Sequence, residues 1–173
     1  YWNYQIFDID SLGYGPPLNK YDSCYISKDT LVNGYTYFYL THGSPLTLGN
    51  DIYNKWLRDS LHYLVDIAGN IYFSSEDFDN VLYTQAATNE TDTIFTQERK
   101  MTDKDATTNT PAGSFITSNC RTIFTIYTAG LPQEKKFSHR RYARNIGIVS
   151  GTLPFYASSI RYEERRLLRY HLK

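Results

Sequence analysis

The sequence predicts an all-β protein: a single domain over residues 1–173, built as one strongly curved antiparallel sheet or open β-barrel with long loops. Three observations carry that expectation. Aromatic residues make up 16% of the chain, with 17 Tyr and 9 Phe, and flat amphipathic rings suit the pleated, half-buried faces of strands. Apolar and polar residues alternate with period two over several runs, while residues 51–66 match a helical stripe nearly as well as anything in the chain. Turn signals such as Asn33-Gly34 and Ala68-Gly69-Asn70 separate the runs. The length suits one core, and no apolar run reaches the roughly 18–20 residues that a spanning helix needs.

Residues 21–32, Asn33-Gly34 and 35–40 read as a hairpin, because Asn-Gly supplies the two positive-φ residues of a type I′ turn. Its two-residue loop pairs Val32 with Tyr35 and Thr30 with Tyr37, so Tyr35, Tyr37 and Tyr39 share one face while Phe38 and Leu40 take the other. The helical stripe lies in residues 51–66, as Tyr53, Trp56, Leu57, Leu61, Leu64 and Val65. Arg58-Asp59-Ser60 interrupts it with turn chemistry, and residues 63–66 and 71–74 flank a second hairpin turn, so strands are expected here. Residues 84–111 are rich in Thr, Asn, Asp and Gln and read as a long irregular excursion with a short strand near 94–96. A long central strand follows over 114–128, with Ile116, Ser118, Cys120, Thr122, Phe124 and Ile126 on one face. Strands at 137–144, 146–151, 158–162 and 165–172 complete the set, the last with Leu168, Tyr170 and Leu172 facing inward.

The formal net charge is zero but unevenly spread: residues 1–134 carry 8 basic against 16 acidic groups, and residues 135–173 carry 10 against 2. Cross-strand pairing of the two segments is the expected use of that split. The run from Lys135 to Arg144 interleaves bases and aromatics, and Arg140, Arg141 and Arg144 form a candidate basic patch for an anionic partner. No nucleic acid is expected, since the chain as a whole lacks a basic field. Cys24 and Cys120 both fall on inward faces, as two buried thiols or as one disulfide closing a long loop.

Nothing in the sequence singles out a catalytic group. The four His are dispersed, and Asp8/Asp10 and Asp77/Asp79 lack the ligand series of a calcium loop, so neither a metal nor a cofactor is expected. Gly43-Ser44 beside His42 lacks the strand-to-helix turn of a nucleophile elbow.

Several phrases then carry a resemblance. They include Asp29-Thr30-Leu31-Val32-Asn33-Gly34-Tyr35, Pro111-Ala112-Gly113-Ser114-Phe115, Tyr142-Ala143 with Ile146-Gly147-Ile148-Val149, and Glu164-Arg165-Arg166-Leu167 with Arg169-Tyr170. In this order they resemble the exported lipoprotein domains common in Bacteroidetes. The resemblance implies export to the cell envelope, periplasmic or at the surface, on a lipidated Cys upstream of Tyr1. It also implies a β-fold similar to lipocalin-like barrels or lipoprotein-carrier half-barrels. Membrane association would then run through that anchor alone, and no catalytic residue transfers.

The functional expectation is a noncatalytic envelope domain that binds a glycan, a lipid or another envelope protein through exposed aromatics. Seventeen Tyr exceed what one core holds with every hydroxyl paired. Trp56, Tyr35, Tyr37, Tyr39 and Tyr142 are the candidate platform. The alternative is a hydrolase acting on envelope polysaccharide with paired carboxylates.

Overall fold

Period-two alternation, with turn residues placed to reverse the chain, builds a single sheet. The computed structural model describes residues 1–10, 12–42, 53–88, 92–127, 133–154 and 162–172, and contains no helix among them. Its strands are β1 (Trp2–Ile9), β2 (Pro17–Val32), β3 (Tyr35–His42), β4 (Lys55–Ser60), β5 (Tyr63–Asp66), β6 (Ile71–Ser74) and β7 (Val81–Thr88). They continue with β8 (Thr93–Met101), β9 (Ala106–Thr110), β10 (Gly113–Ile126), β11 (Glu134–Ala143), β12 (Gly147–Pro154) and β13 (Tyr162–Tyr170). Every pairing among the described residues is antiparallel, in the order β6-β5-β4-β3-β2-β1-β13-β12-β11-β10-β8-β7, with β9 also on β10. The sheet curls into a nearly closed barrel whose single seam lies between β6 and β7.

The expected hairpin is present in the expected register. Val32 faces Tyr35 and Thr30 faces Tyr37, and Asn33 (φ 51°) and Gly34 (φ 80°) supply the left-handed turn. Residues 55–66 are strands rather than a helix, joined by a turn at Leu61-His62. The long central strand is β10, and Cys24 and Cys120 are buried free thiols.

Two expectations change. Residues 84–111 are not an irregular excursion: they belong to β7, β8 and β9, because β-branched Thr suits strands and the inward positions carry Gln97 and Arg99. β8 and β9 lie end to end along β10 as one strand broken by a bulge at residues 102–105. There Asn119 Nδ2 donates to Thr102 Oγ1 and to Asp103 Oδ2, each at 3.0 Å. In β13 the fully buried residue is Leu167 in place of Leu168, while Tyr170, opposite Trp2, keeps the inner face but is exposed near the strand's end, as is Leu172. A bulge explains the change, since Asn3 pairs with Arg169 but Tyr4 pairs with Leu167, which leaves Leu168 unpaired and shifts the alternation by one. The segment 155–161, holding most of the strand expected at 158–162, lies outside the described residues.

Side chains close the seam. Arg99 of β8 points inward, 2% exposed, between the rings of Tyr72 on β6 (4.6 Å) and Tyr83 on β7 (5.0 Å). Its Nη1 donates to the Ile71 carbonyl at 2.9 Å, and the Cys120 thiol donates to the Tyr72 carbonyl at 3.3 Å. Carbonyls of the edge strand that would pair with a neighbouring strand are thus satisfied from inside the barrel.

Candidate functional site

The barrel interior divides along its axis. Near the turns β4–β5, β6–β7, β8–β9 and β11–β12 it holds a cavity of about 1010 Å³. Its wall is apolar: Trp2, Leu40, Leu57, Leu64, Phe73 and Ile148 face it. Register explains the convergence, because Trp2 stands opposite Cys24, and Phe38 opposite Leu57, so their side chains share the inner face. Phe73 of β6 and Tyr142 of β11 meet at 4.4 Å between ring centres, joining strands far apart in the sheet order.

Tyr4 and Ile148 also line a second, small cavity of about 20 Å³ together with Tyr53, Arg140 and Arg165, so they form the partition between the two. The Tyr4 hydroxyl donates to the Ile148 carbonyl at 3.0 Å. Burial, reinforced by Tyr53 and Cys24, pushes its pKa well above the usual phenol value. Burial also pushes the Cys24 thiol, at the edge of the large cavity, up to about 12, so this sulfur is held protonated and is a poor nucleophile.

Beyond the partition the interior is polar. Asp22 accepts Arg165 Nε at 2.9 Å and lies 2.6 Å from His42 Nε2, with the His42 ring stacked on Tyr53 at 4.4 Å. Burial raises the Asp22 carboxyl, but the His42 hydrogen bond and Arg165 outweigh it and hold the pKa below the ordinary carboxylate value. This charged cluster is fixed and sealed from the large cavity, so it serves the fold.

The residues expected as an aromatic platform are divided between two surfaces. Tyr35, Tyr37, Tyr39 and Trp56 lie on the outer face of β3 and β4, and Tyr142 faces the cavity. Tyr37 and Tyr142 are buried rather than exposed, at 7% each, and Trp56 and Tyr39 are half-buried. Tyr37 is covered by Arg58, whose Nε donates to its hydroxyl at 3.1 Å and whose guanidinium lies over Tyr35 at 4.4 Å. Lys28 sits over Tyr39 and Trp56 at 5.0 and 5.3 Å. The outer rings are therefore stacked against this protein's own cations.

Arg140, Arg141 and Arg144 do not form one strip. Arg140 and Arg141 are consecutive in β11 and take opposite faces: Arg140 turns inward beside Gly151, and Arg141 turns outward, 3.8 Å from Asp103. Arg144 is exposed in the next turn, at the cavity mouth. Among the described residues four ion pairs join the acidic and basic segments, Arg141 with Asp103, Arg165 with Asp22, Lys20 with Glu163, and Lys136 with Glu134 across the boundary itself.

Sequence reasoning missed Trp2, Tyr4 and Arg99. Trp2, Tyr4 and Ile6 alternate as an inward strand face, a legible signal, but the adjacent Phe7 breaks the pattern because it packs on the outside under Arg166 at 4.4 Å. No metal-binding cluster occurs among the described residues.

No protein-family model and no curated protein matches the chain. Two solved structures are similar to it. One, from Parabacteroides distasonis and provisionally described as a lipoprotein, is 11% identical and aligns over 96% of this chain and 92% of its own, with a TM-score of 0.47. The other, from Bacteroides fragilis and provisionally described as an exported protein with a YmcC-like fold, is 14% identical over 96% and 93%, with a TM-score of 0.40.

Proposed function

We propose that the chain is an exported, noncatalytic envelope protein that holds an apolar ligand in the mouth of its barrel. The observation that carries this reading is the cavity of about 1010 Å³ with its apolar wall. Ligand pockets span about 300–1,000 Å³ and are mostly apolar with a few polar groups, which describes this one at its upper limit. Each methylene moved from water into such a site contributes about 0.8 kcal/mol, so a hydrocarbon chain is the natural occupant. The hydrolase alternative draws little from the geometry, because the carboxylates at the cavity are all exposed, Glu76 and Asp105 on turns of its rim and Asp59 near the end of β4. Export follows the motif resemblance.

The two tryptophans make the test direct, since Trp2 lines the cavity and Trp56 lies on the outer aromatic face. Titrating laurate into the Trp56→Phe protein should give a saturable change in Trp2 emission, and the Trp2→Phe protein should give none. The reverse pattern would move the site to the outer face of β3 and β4. Silence from both, with no binding heat, would remove the reading.

A further inference from the structure

We infer that the ligand of this cavity is an amphiphile with an anionic headgroup, its chain against the apolar wall and its head at Lys104 and Arg144. The inference rests on the reading of the barrel mouth as a ligand site. It starts from two cations that line the same cavity, are exposed, and make no ion pair among the described residues.

Both are carried on anchored backbone. Lys104 projects from the bulge at residues 102–105, which Asn119 ties down through Thr102 and Asp103, and its Nζ stands 5.7 Å from the Phe78 ring centre. Arg144 opens the β11–β12 turn, whose Ile146 carbonyl accepts Trp2 Nε1 at 2.6 Å, so the turn is pinned to the cavity wall. Other cations nearby are engaged: Arg141 lies 3.8 Å from Asp103, and Arg58 is held by Tyr37 and Tyr35. Between β9 and β12 the rim acid facing the cavity is Asp105, beside Lys104, while Glu76 stands 3.6 Å from His62 on the β6–β7 turn.

The rim is also apolar where a chain would pass. Leu61 is 93% exposed at the tip of the β4–β5 hairpin, with a φ of 60° that bulky side chains rarely adopt, and Ile116 is 60% exposed. A free anion would have no use for the wall, and a neutral lipid would have none for the cations. A chain bearing a carboxylate or phosphate uses both.

Calorimetric titration of the full chain with laurate, monolaurin and inorganic phosphate separates the outcomes, because laurate and monolaurin share a chain and differ in headgroup charge. Laurate should bind about tenfold more tightly than monolaurin, a preference of the size two charge-assisted contacts supply. The double variant Lys104→Ala/Arg144→Ala should erase the preference and leave monolaurin unchanged. Arg144→Lys should retain it, and Asp105→Asn should increase it. Equal affinities in the unmodified protein would overturn the headgroup assignment while leaving the cavity reading intact. Parallel loss of monolaurin in the double variant would overturn it too, since the cations would then be serving the fold. Phosphate binding as tightly as laurate would make the site one for a free anion, and failure of both amphiphiles to bind would remove the cavity reading with it.

Discussion

Replacing Arg99 tests whether side chains hold the barrel shut. Its guanidinium makes two cation–π contacts, with Tyr72 at 4.6 Å and Tyr83 at 5.0 Å, and a 2.9 Å hydrogen bond to the Ile71 carbonyl. Desolvated cation–π contacts contribute about 0.5–2 kcal/mol each, and a hydrogen bond from a charged group about 1.5–3 kcal/mol. Against these stands the cost of burying the charge, which, with Arg140 nearby, lowers the Arg99 pKa. Arg99→Ala loses the contacts, strands the Ile71 carbonyl and leaves a void, so about 3–5 kcal/mol of stability should go. Arg99→Met keeps most of the stem volume and has no charge to desolvate, so it should lose about half as much. Urea unfolding followed by circular dichroism gives both values. Hydrogen exchange locates the effect, with β6 and β7 amides gaining the most exchange because their seam has no backbone ladder. Should Arg99→Ala fail to fold, Tyr83→Leu removes one face of the sandwich and should cost about 1 kcal/mol. An Arg99→Ala protein within about 0.5 kcal/mol of the unmodified one, or exchange rising everywhere except the seam, would refute the reasoning.

Three further outcomes are expected. Burial, with Arg141 and Arg121 adding to it, lowers the His139 pKa to about 4, so between there and the unfolded value of about 6.5 the unfolded chain takes up the proton first. Stability is therefore full above that window and falls by about 1–3 kcal/mol as the pH drops through it, and His139→Gln should flatten the slope in urea titrations at pH 7 and 4.5. The depressed Asp22 and Asp66 carboxyls act at lower pH, where their protonation removes what they contribute. Leu167→Ala should cost about 2–5 kcal/mol in thermal or urea unfolding and Leu168→Ala about 1 or less; equal costs would contradict the bulge. Leu64→Phe, which adds volume at the cavity wall, should stabilise the unliganded protein by about 0.5–2 kcal/mol and weaken laurate binding, whereas a strained, destabilised variant would mean the space is not free.

Local rules made much of the sheet legible. Asn33-Gly34 specifies its turn, and with it the pairing of Val32 and Tyr35, because only two residues separate the strands. The face of Cys120 followed from alternation across β10, which no bulge interrupts before Thr117. Leu168 shows where that logic ends: the extra residue is forced by the partner β1, more than 150 residues away in sequence, and no local pattern announces it. β7 and β8 were hidden for another reason. Their inward positions carry Gln97 and Arg99, which pass for loop chemistry until the barrel supplies an interior that wants long polar side chains. Of the expected aromatic platform, Tyr142 alone lines the cavity, since choosing tyrosines by number says nothing about which side of a curled sheet each one faces.

The cavity follows from strand number. Barrel diameter grows with the number of strands, and about eight already give an interior that side chains just fill. The twelve strands along the path of this sheet enclose more space than the inward residues of a small barrel could occupy. The two ends meet that problem differently. On one side of Tyr4, long side chains such as Arg140 and Arg165 span the interior, aided by the Asp22 carboxylate. On the other side the wall is mainly Leu, Ile, Phe and Trp and leaves a cavity of about 1010 Å³, with Phe73 reaching Tyr142 across it. Apolar atoms lining an unfilled space forgo the dispersion contacts a packed core provides. A sequence selected for stability alone would have closed that end with larger residues or with the polar filling used at the other. Keeping it open and apolar, with two exposed cations at its rim, is the arrangement expected when a ligand supplies the missing core.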